Sequence, residues 1–573
     1  MDNLNSGPSQ QKPLRLWPAI VIVTLQWVIR FGLPAVVHTD MAMNIGVFAG
    51  LIGGVVLLIW WAFFSRARWY ERLGAIGLMA LALIITAQFI DVSIRTANMG
   101  MMFGIFSIPV LSLAFAAWAV ATHSLSNRIR YITMVATVIL ATGFWVLLRT
   151  DGMDGSNHQD LVWRWSMTSE ERLLAQSKNK RMTVSPDSAT LATEAEWPGF
   201  RGPHRDGIVT GSQISTDWVK SPPVEMWRQA VGPGCSSFAI LGTLFFTQEQ
   251  RGEYEMVTCY NLNTGDPVWS HGDSTRFWDS HAGAGPRSTP TLSNGRVYTL
   301  GGTGILNVLD ERDGKVIWSR NAAKDTQVEV LSWGFTSSPL VVGNRVIVSL
   351  SGKLAGYDIE SGEPVWMGTD GGNSYSSPQL VTIAGVQQVI LLSKAGAIGV
   401  DPESGKPLWN YEWEATDRII QPAVIGEGDF LMVGESQAIR RISVTNDQGT
   451  WKAKESWTSE QMKLNFNDVI ISKGFAYGFD GPSIACVDTK DGSRKWRGKP
   501  YRGFSVFLAE QNLILVLTEK GELALVEATP ERFNELARIP AIKGRTWNHP
   551  AIAGNIVIVR NAVEMAAFSL PGI

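Results

Sequence analysis

Polar and aromatic side chains recur at the entrances of successive short apolar runs in the second part of the chain, and these residues could carry chemistry. The candidates are Arg287, Ser288, Ser337, Tyr375, Gln421, Asn465, Asn467, Asp468, Trp547, Asn548 and His549. A pocket of amide, hydroxyl, aromatic and guanidinium groups suits a sugar, a peptide or an anionic small molecule. Asp468 and His549 could form an acid–base pair. The alternative is that these groups hydrogen-bond to one another and enclose only water.

A turn pattern that recurs along the same part of the chain predicts the elements that position these side chains. In each copy Gly follows an Asp or Asn by four positions and Trp follows the Gly by four, and the copies are Asn261–Trp269, Asp310–Trp318, Asp358–Trp366, Asp401–Trp409 and Asp488–Trp496. The Asp or Asn side chain accepts hydrogen bonds from the backbone just ahead, and the Gly adopts the positive φ that ends a tight turn. The first four Trp residues are 49, 48 and 43 positions apart. Four short antiparallel strands per repeat of this length are typical of a β-propeller blade.

The Trp residues that close these copies are predicted to pack neighbouring blades together. They are Trp269, Trp318, Trp366, Trp409 and Trp496. Counting the outer strands predicts eight blades in residues 196–573. Val224–Arg228 resembles an outer strand with no blade before it, and pairing it with the last segment would close the ring and remove exposed sheet edges. The predicted fold class is an all-β eight-bladed propeller preceded by an α-helical membrane region.

Residues 1–150 contain long apolar runs that predict five transmembrane helices. Their approximate bounds are 16–37, 45–64, 73–94, 101–121 and 131–148. Lys and Arg concentrate before the first helix, between the second and third, and between the fourth and fifth, which places the amino terminus in the cytoplasm. Five crossings then put the rest of the chain outside the cytoplasmic (inner) membrane, in the periplasm of a Gram-negative cell.

Two ionisable residues lie within or beside the apolar runs. Arg30 is about two-thirds of the way along the first predicted helix, and Asp91 ends the apolar run of the third. An ionisable group inside a membrane is a functional candidate. The alternatives are an ion pair, or an Arg side chain that extends to the membrane interface. Residues 151–195, polar in their second half, are predicted to form a linker.

Short segments at the starts of the repeats resemble a known family. They are Trp197-Pro-Gly-Phe-Arg-Gly-Pro203, Gly285-Pro-Arg-Ser-Thr-Pro290, Phe335-Thr-Ser-Ser-Pro339 and Thr546-Trp-Asn-His-Pro550. Together with the turn pattern they resemble the PQQ-binding-like propeller repeat of the quinoprotein alcohol dehydrogenase superfamily. For the enzymes of that superfamily, the resemblance implies the quinone cofactor PQQ, a Ca²⁺ or Mg²⁺ ion held by oxygen ligands, and a carboxylate base.

The cysteines of this chain depart from the pattern of those enzymes. Many soluble members carry an adjacent Cys-Cys pair over the cofactor, whereas Cys235, Cys259 and Cys486 are far apart in this sequence. No cofactor and no metal site are therefore expected, and PQQ with Ca²⁺ is kept as the alternative.

These observations favour a membrane-anchored periplasmic propeller that acts as a binding or scaffold module for a protein, a peptide or a glycan. The formal net charge of −2 gives no indication of nucleic-acid binding. The alternative is a PQQ-dependent dehydrogenase that passes electrons to membrane quinone. That alternative rests on a resemblance, because membrane-bound quinoprotein glucose dehydrogenase also joins five helices to an eight-bladed propeller.

Overall fold

The computed structural model describes most of the chain as two compact units, Met1–Ser166 and Met167–Ile573. The described residues are 14–37, 40–154, 159–177, 194–413, 419–433, 438–464 and 466–573. The first unit is mainly α-helical and the second mainly β-sheet.

The first unit contains five helices that are long and apolar enough to cross a membrane. They are α1 Trp17–Val36, α2 Met41–Phe64, α3 Trp69–Phe89, α4 Met102–Ala121 and α5 Asn127–Leu147. Helices α2, α3 and α5 each begin four residues before the predicted spans, because hydropathy marks the apolar stretch and passes over the more polar first turn.

Helix α3 ends earlier than predicted. It stops at Phe89 because Ile90 has an extended backbone. The Asp91 carboxylate then accepts a hydrogen bond from Ser93 N (2.9 Å) and caps a short separate helix, Val92–Thr96. Asp-type caps of this kind satisfy a backbone N–H group that has no partner within the helix.

The predicted linker contains two ordered elements among its described residues. A hairpin pairs Leu148–Met153 with Gln159–Trp163 in the first unit. In the second unit, helix α6 (Ser169–Ser177) is held by Glu170, which forms an ion pair with Arg276 (2.8 Å). Residues 178–193 lie outside the described part of the chain.

The second unit is a ring of eight sheets, and its first four blades follow the chain without interruption. Blade 1 contains the strands Ala239–Leu241, Leu244–Arg251, Tyr254–Asn261 and Pro267–Asp273, and blade 2 contains Thr291–Ser293, Arg296–Leu300, Ile305–Asp310 and Val316–Asn321. Blade 3 contains Leu340–Val342, Arg345–Leu350, Lys353–Asp358 and Pro364–Asp370, and blade 4 contains Gln379–Ile383, Val386–Ser393, Gly396–Val400 and Pro407–Glu412. The first strands of most neighbouring blades contact one another, so they surround the propeller axis.

Blades 5 to 8 complete the ring. Blade 5 contains the strands Ala423–Gly426, Asp429–Val433, Ala438–Asp447 and Thr450–Lys463, and blade 6 contains Ile470–Ser472, Phe475–Asp480, Ser483–Asp488 and Arg494–Pro500. Blade 7 contains Gly503–Leu508, Leu513–Thr518, Glu522–Glu527 and Glu535–Pro540, and blade 8 contains Ala551–Ala553, Ile556–Arg560, Glu564–Ser569 and Val224–Ala230. The outer strand of blade 8 is Val224–Ala230, which pairs antiparallel with Glu564–Ser569. The predicted closure of the ring by this segment is confirmed.

The turn pattern places a Trp at most seams between blades. At six seams the indole N–H of the Trp donates to a backbone carbonyl oxygen of the next blade. The donor and acceptor residues are Trp227 and Leu262, Trp269 and Glu311, Trp318 and Ile359, Trp366 and Pro402, Trp457 and Thr489, and Trp496 and Thr529. The turn Gly of the next blade lies against the ring: a Cβ added to Gly362 would lie 2.6 Å from the Trp318 ring. Only Gly leaves room for this contact.

Trp409 departs from this arrangement. Its indole N–H donates to Oε1 of Gln388 in its own blade (2.7 Å). Blade 5 has no Asp/Asn-x-x-x-Gly-x-x-x-Trp copy to supply the acceptor, and a long hairpin of Ala438–Asp447 and Thr450–Lys463 takes its place. The Trp409 ring still packs in the hydrophobic cluster that blades 4 and 5 share.

Candidate functional site

The segment Trp197–Val209, called the axial strap here, crosses one end of the propeller axis. It hydrogen-bonds or pairs with the first strands of blades 1, 2, 4 and 7, through Ile240, Leu292, Gln379 and Phe507. A segment this short can reach first strands on opposite sides of the ring only by crossing the axis. The strap therefore closes the central channel at that end.

Arg205 of the strap extends the closure to blade 3. Its guanidinium donates to the backbone oxygens of Ser338 (3.1 Å), Pro378 (3.0 Å) and Pro339. The side chain is buried, and burial lowers the pKa of Arg205 to about 9. Carbonyl dipoles on two blades thus solvate this cation in place of water.

Arg201 of the strap meets the only acid among the predicted lining residues. Its Nε lies 3.7 Å from Oδ2 of Asp468, and Nε2 of His549 lies 3.3 Å from the same oxygen. Burial alone would raise the pKa of Asp468, but the Arg201 charge and the hydrogen bonds from His549 and Gln421 N hold this pKa below its ordinary value. Burial lowers the pKa of His549, so its ring is neutral at pH 7. The structure thus brings the predicted pair together and adds a fixed cation.

A partial ring of hydrogen bonds lies at the same level of the axis. In it a backbone N–H of one blade donates to a side-chain oxygen at the equivalent position of the next: Ser237 to Thr289, Thr289 to Ser338, Ser338 to Ser377, and Gln421 to Asp468. These groups therefore hydrogen-bond neighbouring blades to one another. This is the alternative that the sequence left open for the lining residues, in which they bond to one another and not to a ligand.

Four other predicted lining residues hydrogen-bond to the backbone. Ser288 donates to Leu300 O in its own blade, Ser337 accepts from Ser349 N, Asn467 donates to Gly503 O, and Asn548 donates to Ser236 O. All four are buried. Asn465 lies outside the described residues.

Arg287 forms a separate cluster beside blades 1 and 2. Its guanidinium pairs with Asp279, which lies on a small hairpin of Trp278–Asp279 with Gly283–Ala284. It also lies 5.2 Å from the centroid of the Phe277 ring and 3.6 Å from Sγ of Cys235. The predicted cation is thus neutralised and buried beneath a loop.

Tyr375 and Trp547 lie in an arc of aromatic and cationic groups at the opposite mouth. Ring centroids are 4.9 Å apart for Tyr375 and Trp333, 6.3 Å for Trp333 and His281, and 6.2 Å for Trp547 and Phe466. Arg545 joins the two halves, since its guanidinium stacks 4.4 Å from the Trp547 ring and donates to His281 O (3.4 Å). We call these six residues the aromatic collar.

The collar and the strap lie at opposite ends of the channel. Collar residues lie four to ten positions before the first strands of their blades, whereas the residues that the strap contacts lie within those strands or one or two positions before them. The sequence analysis did not include Phe466, Trp333, Arg545 or His281 among the lining residues. The signal that could have found them is an aromatic or basic residue a few positions before each blade entrance.

The comparisons with known proteins agree with this architecture. A family model described as outer membrane protein assembly factor BamB matches residues 253–498. The chain is 22% identical over 257 residues to BamB of Moranella endobia (strain PCIT), a match that covers 42% of this chain and 64% of that relative.

Two solved structures share the fold at low sequence identity. Quinohemoprotein alcohol dehydrogenase from Comamonas testosteroni aligns with a TM-score of 0.50 and 14% identity, over 71% of this chain and 84% of that one. A europium-containing methanol dehydrogenase aligns with a TM-score of 0.51 and 12% identity, over 67% of this chain and 100% of that one. The chain carries a PQQ-like eight-bladed propeller.

The residues of this PQQ-like propeller do not fit the cofactor of the enzymes that share its fold. In the described chain, no group of three or more His, Cys, Asp or Glu is placed to hold a metal ion. The axial acid Asp468 already accepts from His549 and from a backbone N–H, and the fixed Arg201 guanidinium that forms an ion pair with it repels a divalent cation. Cys235, Cys259 and Cys486 are separate free thiols.

Proposed function

We propose that this protein is an integral membrane protein whose propeller lies outside the cytoplasm and binds a partner protein at the aromatic collar. Five apolar helices and the Lys and Arg bias of their loops support the membrane topology. The similarity to a factor named for outer membrane protein assembly supports a protein as the partner.

The observation that carries the proposal is the difference in exposure between the collar and the channel below it. The axial groups bind other blades or the strap, so they offer a small molecule few groups for recognition. Trp333, Trp547 and Arg545 are only partly buried and lie at the open end. Partly exposed Trp and Arg side chains are enriched among the residues that dominate protein interfaces.

The collar suits an extended segment of a partner that carries aromatic and acidic side chains. The Trp333 and Tyr375 rings form one platform, and the Arg545–Trp547 stack forms another. Aromatic side chains pack on such platforms, and a carboxylate pairs with a guanidinium. A peptide, rather than a glycan, is favoured because Arg545 contributes a charge that a neutral sugar does not use.

A PQQ-dependent dehydrogenase is the weaker alternative. Its chemistry needs an acid that is free to accept a proton and oxygen ligands that hold a metal ion. Asp468 is bound on three sides, and His549 lies between the rings of Phe200 and Phe504 at centroid distances of 5.2 and 4.3 Å.

Site-specific photo-crosslinking tests the collar in the full-length protein in cells. A benzoylphenylalanine at Leu331, a partly buried residue two positions before Trp333, is expected to form an adduct with a discrete protein. Arg545→Ala and Trp333→Ala should each reduce this adduct by about tenfold or more, since hot-spot truncations cost about 2 kcal/mol. The same probe at Val316, exposed on the outer strand of blade 2, is the matched control. An adduct from position 331 that both variants leave undiminished would overturn the proposal.

Calorimetry of the full-length protein with PQQ and Ca²⁺ tests the alternative. We expect no binding at concentrations well above the micromolar range. One-to-one binding that EDTA abolishes would favour the dehydrogenase over the scaffold.

A further inference from the structure

Two Trp side chains stack on each other at one end of the hairpin in the first unit. The Trp163 and Trp165 rings are 5.1 Å apart and nearly parallel (11°), and the ring of Phe144 on α5 meets Trp163 edge-on at 6.0 Å. All of them are open to the surroundings: Trp165 is 68% exposed, and Trp163, Phe144 and the neighbouring Leu147 are 44–45% exposed. Exposed apolar patches of this kind mark surfaces that contact a partner or a membrane. We call these four residues the hairpin base.

Helix α5 fixes the level of the hairpin base. The helix has 21 residues, about 30 Å, so it is just long enough to cross the hydrocarbon core of a bilayer. It ends at Leu147, and the next residue, Leu148, pairs directly with Trp163 across the hairpin. The headgroup layer outside the core is about 5–7 Å thick on each side. Trp163, and Trp165 stacked on it, therefore lie at the depth of that layer when α5 spans the core.

Arg164, between the two Trp residues, ties the base to a second helix. Its guanidinium donates to the backbone oxygen of Phe89 (3.2 Å), the last residue of α3, and pairs with Asp91 (3.4 Å). Thr150 N on the other strand donates to Ser93 Oγ (3.0 Å). The hairpin is thus attached at the ends of both α3 and α5. Trp and Arg together at helix ends are typical of the membrane–water interface.

The exposed side chains of the hairpin become acidic away from this end. Leu161, two residues before Trp163, is still an exposed apolar residue, but Asp160 and Asp151 are exposed carboxylates. Asp160 lies about 10 Å from Trp163 along the strand, which exceeds the thickness of the headgroup layer. The polarity of the hairpin thus changes over the distance at which a membrane gives way to water.

We infer that the hairpin base lies in the headgroup layer of the leaflet where α5 ends and anchors the chain there through contact of Trp163 and Trp165 with phospholipid. The inference rests on the proposed insertion of the five helices into a membrane. Lipid is favoured over a protein partner because Phe144 and Leu147 continue the exposed rings directly into the apolar surface of α5. A Trp ring suits this layer because its body is apolar and its indole N–H is a hydrogen-bond donor.

Photo-crosslinking of the full-length protein in nanodiscs of phosphatidylcholine tests this inference. A benzoylphenylalanine at position 165 should form an adduct with phosphatidylcholine, detected as the added mass of one lipid on the peptide. Position 160, exposed on the same hairpin, is the matched control and should form no lipid adduct, because Asp160 lies beyond the headgroup layer. No lipid adduct at position 165, or equal yields at the two positions, would overturn the inference.

Labelling of the wild type guards against a probe variant that fails to fold. Phosphatidylcholine with a diazirine beside the glycerol ester should label the peptides that contain Trp163 or Trp165. A diazirine at the end of the acyl chain should instead label α5 near Leu140, which is 72% exposed. Labelling of α5 without ester-proximal labelling of the Trp peptides would overturn the anchor and leave membrane insertion intact. Labelling of neither region would overturn insertion and anchor together, so the two failures are distinguishable.

Discussion

The two ends of the propeller channel are built from similar residue types that are used differently. At the strap end Arg201 and Arg205 are buried, and their guanidiniums bind a carboxylate and backbone oxygens. At the collar end Arg545 is partly exposed and stacks on an aromatic ring. The comparison teaches that burial, and not residue type, separates a structural Arg from a recognition Arg. Each prediction below tests that division.

The largest effect is expected for Asp468→Ala at the strap end. The substitution leaves Arg201 buried without its counter-ion and Gln421 N without its acceptor, so the free energy of unfolding should fall by about 3–5 kcal/mol. Pulse proteolysis in urea on the full-length protein in nanodiscs measures it. Asp313→Ala, which removes an exposed carboxylate paired with Lys315, should produce no measurable change. A comparable loss of stability in both variants would contradict the distinction between buried structural residues and exposed ones.

A backbone substitution in the strap should have the next largest effect. Gly202 has φ +84°, and an added Cβ would lie 2.8 Å from the Trp197 ring. Gly202→Ala therefore combines left-handed strain with overpacking and should lower the free energy of unfolding by about 3 kcal/mol. Gly211 has φ +79° with nothing within 4 Å of the added Cβ, so Gly211→Ala should cost only about 1–2 kcal/mol. Equal losses in the same proteolysis assay would show that the strap is loosely packed.

Stability should also depend on pH through His549. Burial lowers the pKa of His549 in the folded protein. The unfolded chain therefore takes up a proton near pH 6.5, and the folded chain takes it up only at a lower pH. The stability that His549 contributes is therefore fully present above pH 6.5 and is lost as the pH falls towards the folded pKa, with a limiting slope of about 1.4 kcal/mol per pH unit. His549→Gln should flatten the dependence of the urea midpoint between pH 7 and 5. His281→Gln at the collar is the control and should retain the slope; a slope unchanged in His549→Gln would refute the assignment.

The smallest effect on stability is expected at the collar. Arg545→Ala removes a partly exposed cation–π contact and should lower the free energy of unfolding by about 0.5–1 kcal/mol. The same variant is expected to lose the photo-crosslinked partner, so binding and stability should separate. A stability loss as large as that of Asp468→Ala would place the collar among the structural elements.

Much of the ring could be predicted from the sequence because its contacts are local. The turn at Asp358–Gly362 and the Trp at position 366 lie within one repeat, and the repeat recurs. The closing strand Val224–Ala230 was predictable because an apolar strand with no blade before it has one free edge to pair with. The exception is the seam between blades 4 and 5, where Trp409 donates to Gln388 of its own blade because a hairpin replaces the expected turn in blade 5.

The candidate site was less predictable because its residues gain their roles from distant partners. Asp468 and His549 were identified, but Arg201, which holds the carboxylate charged, comes from the strap at the start of the propeller unit. Arg205 donates to residues 133 and 173 positions away, and no local pattern indicates such contacts. Trp333 and Arg545 lie in loops whose path depends on the loops of neighbouring blades.

The sequence by itself determined that apolar helices precede an eight-bladed propeller, since hydropathy and turn chemistry are properties of short segments. The tertiary structure alone decided which polar groups remain available. A side chain at the axis binds a ligand only if the other blades leave its donors and acceptors unused. At the strap end those blades, together with the strap, use most of the groups of Asp468, Arg201 and Arg205, and at the collar they do not bury Trp333 and Arg545.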